Sequence, residues 1–171
     1  MSKREAKHAA AAEDYVACYE AALHYLDYRP RSEAEVVRHL KYKRKFQDAS
    51  VTRAVAKLKE LRLIDDRVFS EQWASERVAH RHKSSLMVRR ELMQKGVDAA
   101  TIDRATAGID DEANALRAGQ GRARLLRDLD YPEFYKRLAS YLSRKGYEAG
   151  LVQGVVRSLW EGGVDGAEGK K

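Results

Sequence analysis

Apolar residues recur every three or four positions along most of this chain, with polar residues between them. That period marks amphipathic helices. Tyr15, Cys18, Tyr19, Ala22, Leu23 and Leu26 predict a helix over about 14–28. Arg29-Pro30-Arg31 ends it, because the residue before a proline is pushed out of the α region. Ser32 with Glu35 three residues on predicts a capping box, and Val36, Val37 and Leu40 face the next helix inward. Val51, Val55, Leu58 and Leu61 place a third helix at 48–61. Asp65 or Asp66 caps a fourth, with Phe69, Trp73 and Val78 inward. Ser84 and Ser85 start a fifth, which runs through Val88 and Leu92 and closes at Lys95-Gly96. Asp98 and Thr101 start a sixth, and a seventh begins near 110–112. Asp130 or Tyr131 caps an eighth just before Pro132, a good first-turn residue. Phe134, Leu138, Tyr141 and Leu142 line it, and Lys145-Gly146 closes it. A ninth covers 151–160. Alternating strand patterns are hard to find, so the chain reads as all-α.

The apolar positions also repeat on a longer scale. Leu92 is followed by Gly96, Val97, Ile102 and Ile109 at +4, +5, +10 and +17. Leu142 is followed at the same offsets by Gly146, Tyr147, Val152 and Leu159. Leu40 leads to Phe46, Val51 and Leu58 at +6, +11 and +18, as if one residue had been inserted into the turn. Three copies of one helix-turn-helix-like unit explain this, and units of that size bury their apolar faces against their neighbours. The predicted division is a lead-in at 1–13, three-helix repeats at 14–64, 65–109 and 110–160, and a disordered Gly-rich tail at 161–171. The expected whole is an elongated, curved array, a shape that suits binding a polymer. Gly96 and Gly146 are expected in the left-handed conformation at their helix ends.

Charge sharpens the picture. The net charge is +7, but residues 29–62 alone carry +7, residues 77–95 carry +5, and the rest sums to −5. A basic run can be no more than a solvated face. Recurrence in two units equally suits nucleic acid or an acidic protein groove. Tyr42, interleaved with Lys41, Lys43, Arg44 and Lys45, could stack on a base or a partner side chain, or cover the core with its polar tip in water. Cys18 is the single cysteine, so no intrachain disulfide forms, as suits a reducing cytoplasm. The first fourteen residues lack the apolar stretch of a signal peptide. No run is long and apolar enough to cross a membrane. The expectation is a soluble, cytoplasmic protein.

Catalytic chemistry finds no footing. Gly119-Gln120-Gly121 lacks the third glycine and the Lys-Ser/Thr of a phosphate loop, and reads as a turn or helix irregularity. His80 and His82 point apart on a helix, and no ligand set completes a metal site. Asp65 and Asp66 could be imagined as an acid–base pair, but capping is the better account. No enzyme, metal or cofactor is expected.

Three stretches carry a resemblance. Leu63-Ile64-Asp65-Asp66, with Phe69-Ser70, Trp73 and Arg77, resembles the "LIDD-x-x-F-A-x-x-Y-x-x-x-R" stretch of bacterial RecX regulatory proteins. Residues 91–97 resemble their "EL-x-x-KG-I" segment, and residues 141–147 their "FL-x-R-R-G-F" segment. The match runs in order from about 15 to 160. The resemblance implies three tandem three-helix units and a negative modulator of RecA acting in DNA repair, recombination and the SOS response. Such a protein lodges in the groove of the RecA–DNA filament and blocks recombinase, ATPase and coprotease activity. The implied partners are RecA, its filament and, weakly and non-specifically, DNA; from the residues themselves no membrane is expected, and the chain is expected to be a monomer. The candidate face is Arg38, Lys41, Tyr42, Lys43, Arg44 and Lys45 in the first repeat. Arg77, Arg81, Arg89, Arg90 and Lys95 continue it in the second, and Arg144 and Lys145 in the third. Asp65, Asp66, Gly96 and Gly146 are assigned structural roles. The chain departs from the family where Gly-Pro-Arg-Arg is replaced by Ser84-Ser85-Leu86-Met87, leaving open whether Arg89 and Arg90 replace the lost cations. It departs again where Arg62 stands for a glycine, so that helix should end differently, and where the first repeat lacks a turn glycine altogether. The main alternative is a helix-turn-helix DNA-binding protein acting without RecA. A purely structural interaction module is a second.

Overall fold

The computed structural model describes residues 3–162, with side chains from residue 11 onward. Among them are nine α-helices and no strand. They are α1 (Lys3–Asp27), α2 (Glu33–Arg38), α3 (Asp48–Glu60), α4 (Asp66–Arg81), α5 (Ser85–Gln94), α6 (Ala99–Thr106), α7 (Asp111–Ala123), α8 (Tyr131–Arg144) and α9 (Ala149–Glu161). A π-helical turn, His39–Lys43, extends α2, and a 3₁₀ turn, Arg124–Leu126, follows α7. Helix α1 starts well before residue 14, because the alanine run at 9–12 has the best helix propensity available. Helix α7 passes unbroken through Gly119 and Gly121, correcting the expected turn or irregularity. A Cβ at Gly119 would lie 2.7 Å from Leu159 Cδ1, so this glycine admits α9 close against α7. The tail expected at 161–171 starts later than that, since Glu161 still belongs to α9 and Gly162 caps it, and residues 163–171 lie outside the described residues.

The caps explain the boundaries. Ser32 and Glu35 close the expected capping box around the α2 N-terminus. Asp65 accepts from the backbone N–H groups of Arg67 and Val68. Ser84, Asp98, Asp110 and Asp130 each accept from the N–H three residues on. Each bond satisfies a donor that the first helical turn would otherwise leave orphaned.

Leu40, Leu92 and Leu142 are each fully buried, as equivalent positions of a repeat should be. Full burial of one such leucine stabilises by roughly 1.5–3 kcal/mol. Leu61 departs from the sequence reading. It is 48% exposed, because α3 stops at Glu60 and the chain turns away through Arg62, whose φ is 56°.

The chain packs as two compact units, 1–72 with 92–104 and 73–91 with 105–171. Neither coincides with a repeat. In the first, Cys18, Ala22, Val36, Leu40, Val55 and Leu58 form a core. In the second, Ala115, Phe134, Leu138, Leu142, Val156 and Leu159 do so.

Candidate functional site

Each unit contains one joint between consecutive repeats, and the two joints are built alike. In the first unit, Ser32 Oγ donates to the Lys95 carbonyl at 2.6 Å, and Asp66 accepts from the Glu33 N–H at 2.8 Å. Gly96 sits so close to Ala34 that an added Cβ would be 2.5 Å from its methyl. In the second unit, the Ser84 N–H donates to the Lys145 carbonyl, and Asp111 accepts from both the Ser85 N–H and its hydroxyl. A Cβ on Gly146 would meet Ser84 Oγ at 2.5 Å and Met87 Cβ at 2.9 Å. The Tyr147 hydroxyl donates to the His82 carbonyl, and burial holds this phenol protonated. So the Lys-Gly corner of one repeat docks on the start of the preceding repeat's second helix.

Both corner glycines have positive φ, 79° at Gly96 and 96° at Gly146. The N–H after each closes a bond to the carbonyl five residues back, at Leu92 and Leu142. That is a left-handed helix ending, as the sequence predicts.

The corner of the first repeat is different. Its extra residue is absorbed in the π turn, where the Arg44 N–H reaches the His39 carbonyl and the Phe46 N–H reaches Leu40, six residues back. Lys45 takes the left-handed position with φ 61°. It is the conformational counterpart of Gly96 and Gly146 that the sequence does not reveal. Tyr42 is 74% exposed here, and Lys43, Arg44 and Lys45 are exposed beside it. An open groove of about 490 Å³ lies between Tyr25, Glu35, Arg38, His39, Tyr42 and Lys43. The His39 ring stacks on Tyr25 at 3.9 Å with the planes nearly parallel, and the Arg31 guanidinium lies 4.1 Å from the Tyr25 ring centroid. Burial, then Arg44, Arg31 and Lys43, push the His39 imidazole below its ordinary pKa.

The candidate cations divide by what they touch. Lys95 bonds Glu35 at 3.2 Å, and Arg38 donates to the carbonyls of Ala34 and Gln94, so both serve the first joint. Lys41 pairs with Asp48 at 2.9 Å. Arg77 pairs with Glu91 at 2.7 Å and lies 3.9 Å from the Trp73 ring centroid, and the Trp73 indole N–H donates to the same carboxylate. Arg89 donates to Thr106 Oγ1, and Lys145 to the Arg81 carbonyl. Arg144 donates to Ser140 Oγ and remains exposed, as do Arg81 and Arg90. The structure thus brings Arg38, Lys41, Tyr42 and Lys43 onto one surface of the first unit, and joins Arg81 to Lys145 in the second. Sequence reasoning missed Tyr25, Arg31 and His39. Their signal is weak, since the stack depends on where the π turn leaves the His39 ring. In α6 the Arg104 guanidinium turns back to Thr101, leaving no set of base-reading side chains there.

Comparison with known proteins agrees with this architecture. Sequence models for the first, second and third three-helix domains of RecX match residues 18–58, 65–105 and 110–156. Regulatory protein RecX of Streptomyces coelicolor is 35% identical over 135 residues, covering 77% of this chain and 71% of the relative. Its namesake in Mycobacterium avium is 38% identical over 138 residues, covering 78% and 79%. A crystal structure of a regulatory protein RecX superposes with a TM-score of 0.75 at 22% identity, covering 91% of this chain and 77% of that one. RecX from Lactobacillus salivarius gives 0.74 at 21%, covering 88% and 99%. The solved structures share the fold of three tandem three-helix domains, and the sequence relatives fix the kinship: this chain belongs to the RecX family of regulatory proteins.

Proposed function

We propose that this chain is a non-enzymatic negative regulator of RecA that acts by occupying the RecA–DNA filament, and so damps recombinase, ATPase and coprotease activity in DNA repair and the SOS response. Family membership supplies RecA as the partner. The observation that carries the mechanism is that exposed cations occur in both compact units. Lys43, Arg44 and Lys45 stand in one, and Arg81, Arg90 and Arg144 in the other. A polyanionic filament offers ligands to both, and linked contacts multiply their separate affinities. Among the described residues no helix is long and apolar enough to cross a membrane, which fits action on a filament in the cytoplasm. The monomer suffices for this reading.

The test is DNA-dependent ATP hydrolysis by the cognate RecA at a fixed concentration of this protein, with single-stranded DNA titrated far above RecA saturation. Filament occupancy predicts inhibition that follows the ratio of this protein to RecA. Full rescue by excess DNA would mean that the protein only sequesters DNA, and would overturn the proposal.

A further inference from the structure

We infer that the corner of the first repeat is a binding site for single-stranded nucleic acid, in which a base stacks on Tyr42 and the flanking phosphates seat on Arg38, Lys43 and Arg44.

The argument begins from the repeat itself. At the other two corners the glycine is consumed by packing, with an added Cβ meeting Ala34 or Ser84 at 2.5 Å. Lys45 carries a Cβ at the equivalent position, so the first corner is not built for such a joint. The inserted residue opens a π turn, a device that recurs at functional sites. It sets Tyr42, 74% exposed, at the mouth of the groove. A non-glycine residue in the left-handed region is a local strain that the surrounding structure must sustain. Here it presents three consecutive exposed cations beside an exposed ring.

Aromatic faces bordered by cations are what single strands use. Every base has a π face, and the charge tracks the backbone without reading sequence. The groups facing His39 agree. Tyr25 comes from α1, Arg31 from the loop before α2, Glu35 and Arg38 from α2, and Tyr42, Lys43 and Arg44 from the turn. The nearby carboxylate, Glu35, is already neutralised by Arg29 at 2.8 Å and Lys95 at 3.2 Å. The surroundings of the imidazole are therefore positive, and a phosphate placed there would favour its protonated form.

This inference rests on the reading of the chain as the partner of a DNA filament, but its binding measurements need no RecA, and a parallel RecA inhibition assay separates the two readings. The full-length protein is titrated into a fluorescent oligo(dT) and followed by anisotropy, while His39 is titrated by NMR with and without the oligonucleotide. Tyr42→Leu should weaken binding roughly five- to hundredfold, the range carried by one base–aromatic stack, and Tyr42→Phe should retain it. Substituting Gln for both Lys43 and Arg44 should lower the salt slope by about 1.4, two single-strand phosphate contacts. His39 should titrate at higher pH when the oligonucleotide is bound. An unchanged Tyr42→Leu affinity, or a His39 titration unmoved by saturating oligonucleotide, overturns the site. If Tyr42→Leu binds oligo(dT) like the parent yet no longer inhibits RecA, the corner belongs to a protein partner and the inference is likewise overturned. Tyr42-dependent binding to oligo(dT) by a chain that fails to inhibit RecA would refute the filament reading and leave this site standing.

Discussion

Five residues carry positive φ among those described, and what separates the two glycines from Lys45, Arg62 and His82 is packing. At Gly96 and Gly146 both the backbone angle and the neighbouring repeat exclude a side chain. Gly96→Val or Gly146→Val should therefore destabilise by more than about 1 kcal/mol, the scale of left-handed strain in a β-branched residue with a clash added. Urea unfolding midpoints measure it, and parental midpoints would show that the joints relax at no cost. The opposite holds at Arg62. The sequence reading expects this helix to end differently for want of a glycine, yet the Leu63 N–H closes on Leu58 in the same five-residue pattern as at Gly96. The arginine simply tolerates the left-handed angle. Arg62→Gly should then stabilise by about 0.5–1 kcal/mol, the relieved strain less the entropy glycine adds to the unfolded chain. A lower midpoint for that variant would mean that the arginine side chain supports the turn. Gly96 and Gly146 were legible because glycine advertises its angle. Lys45 was not, since nothing in a lysine signals positive φ.

At the scale of elements, helix positions, caps and the offset in the first repeat were readable from periodicity, because each is local to a few residues. The joints were not, because they pair residues tens of positions apart. A trace remains in hindsight: the helix start is capped by Ser32 and Ser84 where a corner docks, and by Asp130 in the last repeat. Likewise the candidate face was legible as a charge run, but which cations are spent internally was not. Arg77 and Lys95 look like their exposed neighbours until Glu91 and Glu35 are placed against them. Glu35 gives the first joint a pH signature. Burial pushes its carboxyl up, but Arg29, the Ser32 N–H and Lys95 outweigh burial and hold it below the ordinary value of 4.5. A carboxylate held low in the folded state contributes stability that is complete above its unfolded pKa and is lost as pH falls through the folded one. The parent should therefore lose stability below pH 4.5 more steeply than Glu35→Gln. Parallel stability curves for the two proteins between pH 6 and pH 3 would remove Glu35 from the joint's energetics.

For the whole molecule, the division of positive charge matters more than its total. The net of +7 is the balance of two basic stretches against a remainder that is negative, so the chain as a whole is no strong polycation. The proposed binding therefore rests on local groups, and those left exposed belong to separately packed units. Two modest contacts on one chain act together because the second forms at the effective concentration set by the first, which can raise affinity by about 10²–10⁴. Losing either contact then removes most of the gain. Reversing Lys43, Arg44 and Lys45 to glutamate should weaken inhibition of RecA ATP hydrolysis by more than about tenfold. Reversing Arg81 and Arg90 should do so as well, each set leaving the circular dichroism spectrum of the parent. All of these side chains are exposed, so the fold should survive. The combined variant separates linkage from simple addition. Independent contacts multiply their losses, because free energies of uncoupled sites add. Contacts that work only together make the combined variant little worse than either single set, because the first reversal has already abolished the linkage. Linked occupancy of the filament requires that second pattern, together with inhibition by the parent that weakens as salt rises. Full inhibition by either reversed variant would place the decisive contact elsewhere on the molecule.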